Sequence, residues 1–192
     1  MTSGPTKERI AVYGGSFDPP HVGHYLVAAW VATSTPIDRL LLVPTYRHAL
    51  GKGARASFEH RVAMCGILAS MLPRTEVSPL ESTLGEPSRT LHTLEALARS
   101  HPDAELRLVV GADIAAETHR WHRWDAIEAI AAPLWVGRVG YPRPPGASVD
   151  FPAVSSTEIR ARLESGESVE GLVPNGVLAY LRSHGLYGGS AP

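Results

Sequence analysis

Gly14-Gly15-Ser16-Phe17-Asp18-Pro19-Pro20-His21-Val22-Gly23-His24 decides how the rest of this chain is read. The apolar run Ile10-Ala11-Val12-Tyr13 before it reads as a strand, and Tyr25 to Trp30 after it as a helix. Gly14 and Gly15 carry no Cβ, so the connecting backbone can come close to a ligand. The proline pair fixes φ and stiffens the turn. His21 and His24 fall on one face of the first helical turn. A helix start adds free N–H groups and partial positive charge. A strand, turn and helix joined in this way suit a bound phosphate.

The same alternation continues outward. Strands are expected at Ile10–Tyr13, Leu40–Val43, Glu76–Ser78, Leu106–Val110 and Leu134–Gly137, and helices at His24–Thr33, Phe58–Met71, Arg89–Arg99, Trp124–Ala131, Thr157–Ser165 and Asn175–His184. The runs Leu40-Leu41-Leu42-Val43 and Leu106-Arg107-Leu108-Val109-Val110 are almost continuously apolar, as in strands covered on both faces. The pattern predicts an α/β fold: one doubly wound, Rossmann-like parallel sheet with helices on both faces and a small C-terminal helical part. Ligands in such folds sit beyond the carboxyl ends of the strands, which is where Gly14 and Gly111-Ala112-Asp113 lie. Loops are expected at Pro44–Ser57, Ser82–Ser88 and Gly137–Pro152. Residues 9–187 are expected to form one domain, between a flexible start (1–8) and a flexible tail (188–192).

Composition narrows the function. The chain has 192 residues, 44% of them hydrophobic and 19% charged, with a formal net charge of −1. That balance fits a globular protein and lacks the basic excess of a nucleic-acid binder. Cys65 is the only cysteine, so neither a disulfide framework nor a thiolate zinc cage is expected. It lies in an apolar helical pattern and reads as core. No apolar run approaches a membrane span and the polar start is no signal peptide, so a cytoplasmic location without membrane contact is expected. G-x-G-x-x-G after the first strand and G-x-x-x-x-G-K-[ST] are both absent. His21 and His24 lack an evident third ligand, so no protein metal site is expected.

A second candidate anion site is Ser155-Ser156-Thr157-Glu158-Ile159-Arg160. Ser155 and Glu158 have the spacing of a capping box, and the hydroxyls with Arg160 also suit phosphate. Lys52 lies on the Pro44–Ser57 loop and reads equally as a phosphate contact or a solvated lysine. Trp121 and Trp124 can share a helical face, and Trp124 at least is expected to be buried.

With these motifs in order, the sequence resembles the nucleotidyltransferases that carry H-x-G-H near the first strand and S-S-T-x-I-R near the last helices, and most closely the bacterial nicotinate-nucleotide adenylyltransferases. The likeness runs from Ile10 to Tyr187. It takes in Ser57-Phe58-Glu59-His60-Arg61, Pro87-Ser88-Arg89-Thr90, Gly111-Ala112-Asp113, Trp121-His122-Arg123-Trp124, Val173-Pro174-Asn175 and His184-Gly185-Leu186-Tyr187. The resemblance implies transfer of an adenylyl group from ATP to nicotinate mononucleotide in NAD biosynthesis, with Mg²⁺ accompanying ATP. By that likeness His21, His24 and Arg160 carry catalysis. Gly14, Gly15, Ser16, Phe17, Lys52, Ser155, Ser156 and Thr157 join them around ATP. Arg89, Thr90, Gly111, Asp113, Trp121, His122 and Arg138 face the acceptor, with Trp121 stacking on the pyridine. Arg89 stands where the family has tyrosine in P-S-Y-T, and Thr45 to Lys52 replaces a Pro-rich segment. Both departures bear on the acceptor. The same chemistry on nicotinamide mononucleotide or phosphopantetheine stays open, as do a regulatory module that binds ATP without transfer and self-association of the chain.

Overall fold

The computed structural model describes residues 7–47, 53–85, 89–115, 117–118 and 121–188. Six parallel strands form one sheet in the order β3-β2-β1-β4-β5-β6. They are β1 (Arg9–Gly15), β2 (Arg39–Pro44), β3 (Thr75–Val77), β4 (Glu105–Gly111), β5 (Ala131–Arg138) and β6 (Asp150–Phe151). The helices are α1 (Val22–Ser34), α2 (Phe58–Ser70), α3 (Thr90–Ser100), the single turn α4 (Ala112–Ala115), α5 (Trp124–Ile130), α6 (Ser156–Glu164) and α7 (Asn175–Ser183). Short 3₁₀ turns occupy Leu80–Thr83 and Leu186–Gly188. No helix among the described residues is long and apolar enough to cross a membrane.

The period-2 alternation of the strands sorts side chains onto two faces. Ala11, Leu40, Leu42 and Val109 pack with Val27, Val31, Cys65 and Leu68 of α1 and α2. Ile10, Val12, Leu41, Val43, Leu106, Leu108 and Val110 pack with Leu91, Leu94 and Leu97 of α3 and with Ile127 of α5. Each of those leucines contributes about 1.5–3 kcal/mol by leaving water. A third cluster joins Met64 of α2 to Ile159 and Leu163 of α6 and to Val177, Leu178 and Leu181 of α7. This is the C-terminal helical part.

Strand order makes the functional crevice. The chain leaves β1 for β2 and β3 on one side, then crosses to β4 on the other. The connections after β1 and β4 therefore diverge and open a cleft above their carboxyl ends.

Several expected boundaries move. α1 begins at Val22, with His21 as its N-cap. β5 begins at Ala131, earlier than the expected Leu134, because Ala131 to Pro133 take up the register of Leu106 to Leu108. Small residues and a proline gave that stretch no strand signal. The expected Gly137–Pro152 loop contains β6, paired at Gly137↔Asp150 and Arg138↔Phe151. Only glycine fits at 137, where a Cβ would lie 2.8 Å from the Val149 carbonyl oxygen and closer still to the Asp150 carboxylate. The expected flexible ends fall mostly outside the described residues, though Lys7, Glu8 and Gly188 are described.

Candidate active site

The cleft holds a cavity of about 600 Å³. Gly14, Gly15, Ser16, His21 and His24 line it from the first motif, and Ser155, Ser156, Thr157 and Arg160 from the start of α6. Thr90, Gly111, Asp113, Trp121 and Arg138 line it from α3, from the ends of β4 and β5, and from the segment before α5. Residues more than a hundred positions apart thus share one wall because the parallel strands end at one level.

The two histidines form a reciprocal cap. The His24 N–H donates to His21 Nδ1 at 3.3 Å and the His21 N–H donates to His24 Nδ1 at 3.2 Å. Their rings stack with centroids 3.7 Å apart. A nitrogen that accepts carries no proton, so each neutral ring holds its proton on Nε2. Each imidazole therefore offers one Nε2–H donor to a ligand. Burial pulls the His21 pKa down from 6.5 to about 4, with the Arg138 charge adding to the effect. Burial pulls His24 well below its usual value, helped by His21 and Arg138. Between 6.5 and about 4 the unfolded chain binds protons that the folded His21 refuses, so stability is fully present above this window and falls as pH drops through it. Urea midpoints followed across the window are expected to fall less steeply in a His21→Asn, His24→Asn double variant. Equal slopes would remove the assignment.

Phe17, expected beside the nucleotide, is fully buried with its ring 4.8 Å from that of His24. It supports the histidine pair from below and does not line the cavity.

At α6 the expected capping box is not formed. Ser155 is the N-cap residue but makes no capping hydrogen bond. Glu158 instead accepts from Arg162 Nη2 at 2.7 Å, which is an ordinary i,i+4 pair. The first N–H groups of α6 thus have no side-chain cap, and the helix presents its positive end to the cavity. Ser156 Oγ donates to the Pro19 carbonyl at 3.0 Å and ties α6 to the first motif. Arg160 donates from Nη1 to the Asp18 carbonyl at 2.6 Å and from Nη2 to Thr157 Oγ1 at 3.2 Å.

Trp121 packs edge-on against Trp124, which in turn faces Trp135. Trp124 is half-buried, where burial was expected, because it is the middle of this row at the edge of the second core cluster. Asp113 Oδ2 accepts from Arg138 Nη1 at 2.6 Å, and Arg138 Nη2 donates to the Val154 carbonyl at 2.9 Å. The Arg138 Nε–H is buried without a partner. Thr90 is the first residue of α3, whose N-terminus also lacks a side-chain cap. Arg89 precedes α3 and His122 is exposed beyond Trp121; neither lines the cavity. Lys52, with Pro87 and Ser88, lies outside the described residues.

Sequence reasoning passed over three buried charges that frame the cavity. Arg61 is 2% exposed and donates to the carbonyls of Ser16 at 2.9 Å, Thr45 at 2.7 Å and Tyr46 at 3.3 Å. Glu81 accepts from the Tyr46 N–H and the Thr93 hydroxyl, both at 2.9 Å. Asp18 accepts the N–H groups of Arg55 at 2.8 Å and Ala56 at 3.0 Å. The signal for Arg61 was present: it shares a helical stripe with the buried Met64, Cys65 and Leu68. An arginine on such a stripe must be satisfied by buried acceptors.

Among the described residues no group of three His, Cys, Asp or Glu side chains could hold a metal ion. The cavity offers N–H and O–H donors and the guanidinium groups of Arg138 and Arg160, a set suited to phosphate oxygens.

A family model described as cytidylyltransferase-like matches residues 12–162. The probable nicotinate-nucleotide adenylyltransferase of Anaeromyxobacter sp. (strain K) is 49% identical over 183 residues, covering 94% of this chain and 97% of its own. That of Myxococcus xanthus (strain DK1622) is 39% identical over 181 residues, covering 94% and 95%. Among solved structures, the Plasmodium falciparum nicotinic acid mononucleotide adenylyltransferase complexed with NaAD superposes with a TM-score of 0.82. It covers 96% of this chain and 100% of its own at 20% identity, a likeness of fold.

Proposed function

Given that the chain belongs to the nicotinate-nucleotide adenylyltransferase family, we propose that it joins ATP and nicotinate mononucleotide into nicotinate adenine dinucleotide, releasing pyrophosphate in NAD biosynthesis. The observation that carries this reading is one cavity lined both by phosphate donors and by an aromatic ring. His21, His24, the uncapped α6 start and Arg160 supply the former, and Trp121 the latter.

In the reaction the 5′-phosphate oxygen of the mononucleotide forms a bond to the α-phosphorus of ATP as the bond to pyrophosphate breaks. Such transfers rest on positioning and charge stabilisation, not on a covalent enzyme intermediate. The neutral Nε2–H groups of His21 and His24 donate to phosphate oxygens, whose charge they stabilise as it redistributes. Ser155, Ser156, Thr157 and Arg160 hold the triphosphate and the departing pyrophosphate, while Gly14, Gly15 and Ser16 allow the backbone to come close. Cys65 is fully buried and burial raises the pKa of its thiol, so it is no rival nucleophile. Mg²⁺ enters with ATP as part of the substrate, held by phosphate oxygens and water. Lys52, which follows β2 in the sequence, adds charge.

On the acceptor side Trp121 stacks on the pyridine, and Asp113 with Gly111 receives the ribose. Thr90, with Arg89 beside it and His122 behind Trp121, receives the carboxylate. The uncapped N-terminus of α3 favours an acid over an amide there, because its free N–H groups carry positive potential. Arg138 lines the cavity at the end of β5 and approaches the mononucleotide from there. We assign the reaction to the cytoplasm.

Pyrophosphate release is to be measured with ATP and Mg²⁺ against nicotinate mononucleotide, nicotinamide mononucleotide and phosphopantetheine. We expect kcat/KM for the acid to exceed that for the amide by about tenfold or more, as when a built polar subsite loses its partner. Release with the amide alone would move the substrate assignment. Release with phosphopantetheine alone would move it likewise, and absence of release with all three acceptors would leave a binding module in place of an enzyme.

A further inference from the structure

We propose that Tyr187, in the last 3₁₀ turn of the chain, is a positioning residue for the ATP end of the site: its hydroxyl fixes the Asp18 carboxylate, which holds the Arg160 guanidinium at the cavity wall. The proposal rests on the adenylyl-transfer reading for the meaning of that end of the site.

Asp18 is 3% exposed and its carboxylate is fully engaged. Oδ1 accepts from the Tyr187 hydroxyl at 2.7 Å and from the Ala56 N–H at 3.0 Å. Oδ2 accepts from the Arg55 N–H at 2.8 Å and lies 3.6 Å from Arg160 Nη1. That same Nη1 donates to the main-chain carbonyl of Asp18 at 2.6 Å. One buried residue thus binds the first motif, the end of the loop after β2, the start of α6 and the C-terminus.

Tyr187 does not line the cavity, so it can act on a ligand only through Asp18. Burial and the nearby carboxylate raise its pKa, which keeps the hydroxyl protonated and donating. Its backbone lies in the left-handed region at φ 60°, between Gly185 at φ 59° and Gly188 at φ 74°. A non-glycine residue there costs about 1 kcal/mol and persists where its surroundings hold it. Here the phenol is held at one end by Asp18 and at its ring by the third core cluster. Arg160 meets the carboxylate at 3.6 Å, longer than a direct hydrogen bond. A small rotation of the carboxylate therefore changes what fixes the guanidinium.

Tyr187→Phe removes one oxygen and keeps the packing. Thermal unfolding sets an assay temperature at which the variant is folded. We expect its KM for ATP to rise about fivefold to tenfold, while KM for the mononucleotide stays within about twofold. In an Arg160→Ala background the same change should add less than about twofold, because the two act as one unit. A purely structural staple would lower the melting temperature and leave both KM values in place. An unchanged ATP KM, or an equal effect in both backgrounds, overturns the proposal. Wild-type protein silent with both pyridine nucleotides refutes the reading of the function instead. Calorimetric titration of wild type and Tyr187→Phe with a non-hydrolysable ATP analogue then decides the proposal: weaker binding by the variant supports it and equal binding overturns it.

Discussion

His24→Asn is expected to lower kcat about 10²–10³-fold, the usual cost of deleting one donor to transition-state charge, with little loss of stability. The substitution is chosen for its geometry. The asparagine Oδ1 occupies the place of Nδ1, so it can still accept the His21 N–H that His24 accepts at 3.2 Å. What disappears is the Nε2–H donor. His24→Gln makes the opposite cut. Its terminal amide reaches the place of Nε2 and can donate, while nothing is left near Nδ1 to receive the His21 N–H. That variant should keep much of the turnover and lose about 1 kcal/mol, the typical worth of a helix cap. Steady-state kinetics and urea unfolding of the two variants therefore separate the histidine's two duties. If His24→Asn turns over normally while His24→Gln fails, the pair is only a cap and the donors to phosphate lie elsewhere. The same pair of substitutions at His21 is the internal control, since its Nδ1 receives the His24 N–H at 3.3 Å.

The split between what the chain's order reveals and what only folding reveals follows contact range. The strand, turn and helix around Gly14 were legible because their signals are local: an apolar run, two glycines, two prolines and a helix-forming stretch. The sheet and its two covered faces followed from the alternation of apolar runs. Ser155 to Arg160 was legible as an anion site, but not as an uncapped helix start, because S-x-x-E spacing cannot say that Glu158 will turn to Arg162. β6 has two residues and owes its existence to Gly137 and Arg138 across the gap. The bond between Tyr187 and Asp18 spans 169 positions, and neither residue carries a local sign of it. Folding brings them together because α6 and α7 pack on α2, whose own start lies beside Asp18. Trp124 shows the reverse error: spacing alone suggested burial, yet three tryptophans in a row leave the middle one half-covered.

Arg61→Met should cost about 3–5 kcal/mol of stability, as when one member of a buried polar network is removed. Methionine fills much of the volume and continues the apolar stripe toward Met64, so the loss is not one of packing. Four main-chain carbonyls, those of Ser16, Thr45, Tyr46 and Ala56, lose their donor together. Each buried acceptor left unmet costs about 1–3 kcal/mol, and Tyr46 is only half-buried, so water can meet its carbonyl, which brings the total down. The carboxylates of Asp18 and Glu81 also lose a nearby positive charge. Against a total of about 5–15 kcal/mol for a folded protein, this leaves the variant close to its threshold. The damage should extend to function in the surviving folded fraction. Ser16 and Thr45 stand at the ends of β1 and β2 and both line the cavity, so a looser Arg61 bridge widens the nucleotide end. Urea unfolding with a KM determination for ATP checks both parts. A loss below about 1 kcal/mol would mean that water replaces the guanidinium at these carbonyls, and that the two connections after β1 and β2 hold their shape without it.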